Sequence, residues 1–247
     1  DQYHSPVYSP LMEKRNKIFI YLFLVMGIII MITSGCTKKT EPQPDPVTTI
    51  RDIDGNIYHQ VTIGSQVWLV ENLKTTRYRN GDVIPNETVD SLWNKLSNNS
   101  TGALCNYNND VFTGNTYGFL YNWFASSDSR GLAPEGWRVA TQTDWQTLVT
   151  YLGGDTLAGG KLKESGTAHW YSPNAGATNQ TGFTALPGGL RVYSGKFEML
   201  GTMGLFWTST PSDDYSGFNC GMFNETSGAI IDGKRYGYGF TVRCVKN

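Results

Sequence analysis

Cysteine, histidine and carboxylate side chains are the first places to look for chemistry in this chain. Apart from His4, the histidines are His59 and His169, far apart and without the short spacing by which metal ligands share one site. No metal centre and no cofactor is expected from them. Asp52-Ile53-Asp54-Gly55-Asn56 alternates like a calcium loop, but Ile63 stands where the closing glutamate belongs, so a hairpin turn is expected instead. Gly160-Lys161 lacks the flanks of a phosphate loop, with Asp155 at the leading glycine position and Leu162 where a Ser or Thr would hold magnesium. No G-x-S-x-G elbow occurs, and two histidines leave little choice of base for a nucleophilic serine. Glycoside hydrolysis needs two carboxylates roughly 5–9.5 Å apart across a cleft. Glu164, Glu198, Asp213, Asp214 and Glu225 are available, but spacing assigns none of them a role. No catalytic residue is named.

Aromatic and amide side chains carry the remaining signal. Trp170 and Tyr171 open a stretch without periodicity that continues through Asn174, Asn179 and Gln180 to Gly182. Apolar ring faces beside amide donors and acceptors are the materials of a carbohydrate site, and also of an ordinary core. The expected ligand-binding set is Trp170, Tyr171, Asn174, Asn179 and Tyr215, which requires the 171–182 loop and the Tyr215–Gly217 turn to meet in one cleft.

The elements that would position such a site alternate between short helices and strands. Ile57–Ile63 and Val67–Val70 are β-rich around a tight turn at Gly64-Ser65. Val89, Leu92, Trp93 and Leu96 share one helical stripe, and Leu120, Trp123 and Phe124 predict a second short helix within 117–125. Thr141 is an N-cap with Asp144 at N3, ahead of a buried face of Trp145, Leu148, Val149 and Leu152 that Gly153 and Gly154 terminate. Beyond Gly154, turns separate strand candidates at 183–186, 189–193, 205–210, 217–223, 229–231 and 240–245, read mostly as one sheet. Helices in the first half and strands in the second imply an α+β domain.

Upstream lies an address. Lys14, Arg15 and Lys17 precede an apolar run from Ile18 to Ile32, short of the roughly 20 residues that span a bilayer and suited to a signal peptide. Thr33-Ser34-Gly35-Cys36 follows and resembles a bacterial lipobox, making Cys36 the expected lipidated residue. Met12 stands where an initiator would, which leaves 1–11 as an upstream stretch outside the fold. Pro42, Pro44 and Pro46 punctuate a polar tether over 36–50, and the domain is expected over 51–247. Gln43-Pro44-Asp45 lies within that tether, without the 6–8 converging oxygens that calcium takes. These features place the protein in the cell envelope, lipid-anchored and extracytoplasmic, with the outer membrane favoured. The membrane is then a partner through the lipid, joined by a polysaccharide or envelope protein. A formal net charge of −1 among 247 residues offers no basic face for a phosphate backbone, so no nucleic acid is expected.

Several stretches in order resemble the Fibrobacter succinogenes major paralogous domain. They are Asp52–Asn56, Gly64–Trp68, Glu71–Leu73, Tyr117–Trp123, Pro134–Val139, Gly159–Lys163, Thr178–Gly189, Trp207–Thr210 and Val242–Val245. The resemblance covers nearly all of 51–247. It implies an extracytoplasmic lipoprotein and, through similarity of 137–145 and 239–243 to the sulfatase-modifying-factor pattern, a C-type lectin-like fold. It also implies a cysteine ahead of Pro-x-Gly-Trp paired with Cys244, but Ala133 stands there. A substitute bridge between Cys220 and Cys244, on neighbouring strand candidates, is the expectation, with Cys105 left as a buried thiol. The closely spaced cysteine pair of formylglycine-generating enzymes is absent, which argues against oxidase activity. Three functions remain open: a non-catalytic binding domain for glycan or envelope components, an envelope carbohydrate-active or protein-modifying enzyme using acidic residues, and a structural adhesin.

Overall fold

Gly204-Leu205-Phe206-Trp207 is an unbroken apolar run, and the reason lies in both faces of its strand being covered. In the computed structural model, which describes residues 49–247, Leu205 and Trp207 point into one hydrophobic cluster and Phe206 into another. This period of two carries the strand between two cores. The expected signal segment, Cys36 and nearly all of the tether lie outside the described residues.

In chain order the elements are β1 (Ile50–Arg51), β2 (Ile57–Tyr58), β3 (Gln60–Ile63), β4 (Gln66–Leu69), α1 (Asp90–Asn98), β5 (Leu104–Cys105), α2 (Val111–Tyr117), β6 (Leu120–Tyr121), α3 (Trp123–Ser126), β7 (Trp137–Val139), α4 (Gln142–Tyr151) and α5 (Ala158–Leu162). The strand-rich second half adds β8 (Gly188–Arg191), β9 (Phe197–Leu200), β10 (Met203–Asp213), β11 (Ser216–Phe223), β12 (Ala229–Arg235), β13 (Thr241–Val242) and β14 (Cys244–Lys246). The architecture is mixed α+β. One sheet runs β12-β11-β10-β8-β9 with β13 also pairing β10, and a second runs β3-β4-β14-β7. Thr48–Asn247 is one compact unit. Among the described residues no helix is long and apolar enough to cross a membrane.

Local chemistry explains several elements directly. Asp52 takes the Asp54 and Asn56 backbone N–H groups, the Asn56 amide and the Tyr58 hydroxyl, so the acidic run closes the β1–β2 hairpin as expected. Gly64 at φ +60° makes the two-residue β3–β4 turn, with Ile63 opposite Gln66. The expected capping box forms at α4, where Thr141 Oγ1 accepts from Asp144 N and the Asp144 carboxylate accepts from Thr141 N.

Three expectations change. The helix expected over 117–125 is interrupted, because Gly118 at φ +79° ends α2, where a side chain would collide with Asn72. Leu120–Tyr121 pairs instead with Leu104–Cys105, and Asn122 then caps α3. The 183–186 stretch is no strand; only a bridge between Lys163 and Ala185 forms there. The 240–245 stretch does not lie in one sheet either. Its two halves belong to different sheets, β13 beside β10 and β14 between β4 and β7.

At that crossing sits Arg243, buried, with Nε donating to Asn72 Oδ1, Nη1 to the Leu69 and Phe183 carbonyls and Nη2 to that of Thr184. Its Cζ lies 4.3 Å from the Phe183 ring centroid. Three backbone carbonyls, one from β4 and two from the irregular 183–184 stretch, are thereby satisfied by one side chain. Burial pulls the guanidinium down to about 9. Lys163 repeats the device at the end of α5, donating to the carbonyls of Ala175, Phe223 and Thr226 at 2.8–3.0 Å.

Candidate functional site

Tyr215 stands at the tip of the β10–β11 hairpin with 77% of its surface exposed, although its backbone is fixed on both sides. Its N–H donates to Asp213 Oδ1 at 2.7 Å, and its carbonyl accepts from Tyr236 N at 3.0 Å. The Tyr236 hydroxyl closes the corner by donating to the Asp213 carbonyl at 2.7 Å. Tyr236 in turn lies on Trp123, ring centroids 4.2 Å apart and planes 24° from parallel, with Phe124 at 5.2 Å. Such close approach requires Gly217, since a Cβ there would fall on the Trp123 indole.

The opposite wall is built by α1. Trp93 is fully buried and its Nε1 donates to the Gly237 carbonyl at 2.8 Å, while Arg191 stacks over Trp93 and ties Asp90 at 2.9 Å. That anchorage turns Asn94, Ser97 and Asn98 towards the hairpin. Gly237 backs directly onto Ser97, whose Oγ would lie 2.5 Å from a Cβ at that position. Asn94 Nδ2 donates to the Tyr193 carbonyl at 3.2 Å, holding Tyr193 at the rim with 45% exposure.

Between these walls lies an open cleft of about 870 Å³, lined by α1 residues, Ser100, Phe124, Tyr193, the 213–216 tip and 235–237. Its size falls within the roughly 300–1,000 Å³ of small-molecule sites. Partial burial, with the Asp213 and Asp214 carboxylates nearby, pushes the Tyr236 phenol above its ordinary value and keeps it a neutral donor. Arg235 leans over the rim, its Cζ 5.7 Å from the Tyr193 ring centroid. Aromatic faces, hydroxyls, amides, two carboxylates and a guanidinium therefore converge on one space. The arrangement can stack a ring and hydrogen-bond its substituents.

Of the residues expected to bind ligand, only Tyr215 lines this cleft. Trp170 is 0% exposed, its Nε1 donating to the Ala185 carbonyl at 2.9 Å, and belongs to the core. Asn174 spends its Nδ2 on the carbonyls of Glu164 and Gly166. Asn179 folds back on Thr184 through both side-chain atoms, so these two amides shape the loop itself. Tyr171 is 62% exposed but sits against Gly201, to whose carbonyl its N–H donates at 2.7 Å. The expected shared cleft does not form. Gly201 precedes β10 and Tyr215 follows it, and an eleven-residue strand separates its ends by roughly 30 Å.

The expected Cys220–Cys244 bridge is likewise absent: Cys105, Cys220 and Cys244 are free and buried. Cys220 lies opposite Phe206 in the large sheet and Cys244 opposite Val139 in the other, in separate clusters. Burial pushes all three thiols up, Cys105 to about 12. Cys105 is the buried thiol that was expected. Among the described residues no group of three or more His, Cys, Asp or Glu side chains could hold a metal ion.

Sequence reading missed Tyr193, Arg235, Tyr236 and Phe124. The run Arg235-Tyr236-Gly237-Tyr238-Gly239 was the available signal, since rings between glycines place aromatic faces where backbone packs closely.

Fold and cleft together define an α+β domain with an aromatic-walled, open cleft beside a hairpin tip. The model of the Fibrobacter succinogenes major domain matches residues 61–246, and the chain belongs to that family. No curated protein and no solved structure matches it.

Proposed function

We propose that this chain is an exported envelope lipoprotein, anchored through Cys36, whose domain binds a glycan or other envelope component in the Tyr215 cleft without turning it over. The observation that carries the reading is Tyr215 itself. A large ring held in the open on a fixed backbone contributes little to folding, yet it faces a space rich in hydrogen-bonding groups. Binding is preferred to hydrolysis because the cleft's acidic lining residues, Asp213 and Asp214, are neighbours on one hairpin rather than a pair facing each other across a bond. Recognition in a pocketed cleft also fits better than adhesion through a flat patch. The C-type lectin-like arrangement and the outer-membrane location belong to the same reading, supported by the motif resemblance and by the charged, apolar and lipobox-like order of residues 14–36.

Retention of the full chain on a polysaccharide array, beside its Tyr215→Ala and Tyr193→Ala variants, tests the cleft. At least tenfold weaker retention of both variants, with unchanged melting temperature, is expected; equal retention by all three would overturn the cleft as the site. Mass spectrometry of the mature N-terminus tests the anchor. It should show a diacyl or triacyl adduct on Cys36 that Cys36→Ala abolishes.

A further inference from the structure

The charges in the cleft narrow the class of ligand, on the reading that the ligand is a glycan. Three lining residues are charged, namely Asp213, Asp214 and Arg235. The Arg235 guanidinium forms no ion pair or hydrogen bond with another described residue, and neither does the Asp214 carboxylate. Asp213 commits one oxygen to Tyr215 N and leaves the other uncommitted. Just outside the cleft, by contrast, Asp232 and Lys234 neutralise each other at 2.7 Å. Within the cleft no such pair joins Arg235 to either carboxylate.

A guanidinium can only donate hydrogen bonds and a carboxylate can only accept them. A uronate or sulfate group would satisfy Arg235 but face two carboxylates. An amino sugar would satisfy the carboxylates but face Arg235. A sugar hydroxyl both donates and accepts, so an uncharged polyol leaves neither kind of group unpaired. Ser97, Ser100 and Ser216 extend the same neutral hydrogen-bonding surface, and the exposed faces of Tyr215 and Tyr193 offer stacking surfaces for an uncharged ring. The cleft is open rather than enclosed, which lets a polymer chain pass through it.

We propose that the cleft selects uncharged polysaccharide and discriminates against polyuronate, with Asp213 and Asp214 as the discriminating residues. Affinity electrophoresis of the full chain in gels containing glucomannan, mixed-linkage β-glucan or polygalacturonate tests this at matched ionic strength. At least one neutral polymer should retard the chain, with polygalacturonate at least about fivefold weaker, the scale of one like-charge contact in a solvated site. Asp214→Asn, whose carboxylate holds no structural bond, should raise polygalacturonate retention several-fold, and Asp213→Asn/Asp214→Asn further. Tighter retention by polygalacturonate than by either neutral polymer, falling with salt and lost in Arg235→Gln, would overturn the charge selection while leaving glycan binding intact. Retention by none of the three polymers would overturn the glycan reading and this proposal with it.

Discussion

Lys163 and Arg235 are both cations of the Gly154–Asn247 half, and they are treated in opposite ways. Three carbonyl oxygens surround the Lys163 ammonium, matching its three donors, and its side chain is buried against Trp170. Arg235 lies over the Tyr193 ring and has no hydrogen-bond acceptor among the described residues. The same contrast separates Arg243, which donates to four oxygens, from Asp214, whose carboxylate accepts from no donor among the described residues. Where the backbone leaves carbonyls unpaired in the interior, long cations from the stretches that carry the family resemblance close the account. Around the cleft, the Asp214 carboxylate and the Arg235 guanidinium, from outside those stretches, have no hydrogen-bond or ion-pair partner among the described residues. Polar capacity that folding does not consume, gathered beside exposed rings, is what the proposed binding rests on.

The largest effect should follow loss of Arg243. Arg243→Met leaves three buried acceptors and one part-buried acceptor without donors, each worth about 1–3 kcal/mol, so denaturant unfolding should report a loss of about 4 kcal/mol or more. A change under 1 kcal/mol would break the contrast between structural and spare cations. Trp170→Ala should cost about 3–5 kcal/mol through the cavity it leaves, confirming that its indole serves the core and not a ligand.

Lys163→Met should cost about 2–3 kcal/mol and also carries a pH signature. Burial lowers the Lys163 ammonium from 10.5 to about 8, so between these values the unfolded chain binds more protons than the folded one. Stability contributed at this site therefore rises with pH from about 8 to 10.5, and is lowest below 8. Unfolding curves across that window should show wild type gaining on Lys163→Met. Parallel curves would assign the lysine no such linkage.

Much of this scaffold is legible in sequence because its causes are local. The capping box at Thr141 and Asp144, the Gly64 turn and the Asp52 hairpin each depend on residues a few positions apart. What escapes is decided by distant partners. Leu120 and Tyr121 fit a helical stripe, yet Leu104 and Cys105 recruit them as a strand. Phe240–Val245 has the composition of one strand, and only the competing edges of β10 and β4 divide it. Tyr215 could be named because a large ring in a turn is conspicuous, whereas Tyr193 and Tyr236 reach the same cleft through α1 and Trp123, contacts without any sequence periodicity. Trp170 misled for the converse reason, since a tryptophan opening an irregular loop has the same composition whether it points outward or, as here, into the core.

The smallest effect on stability is expected at the residue with the largest effect on binding. Tyr215→Ala removes an exposed ring from a hairpin whose backbone bonds remain, and should shift unfolding by less than about 0.5 kcal/mol. Measuring unfolding and neutral-polysaccharide retention on the same preparation of Tyr215→Ala is the most direct test of the division between scaffold and cleft. Wild-type stability with retention reduced at least tenfold is expected; wild-type retention, or a loss of binding that only follows a loss of stability, would contradict that division.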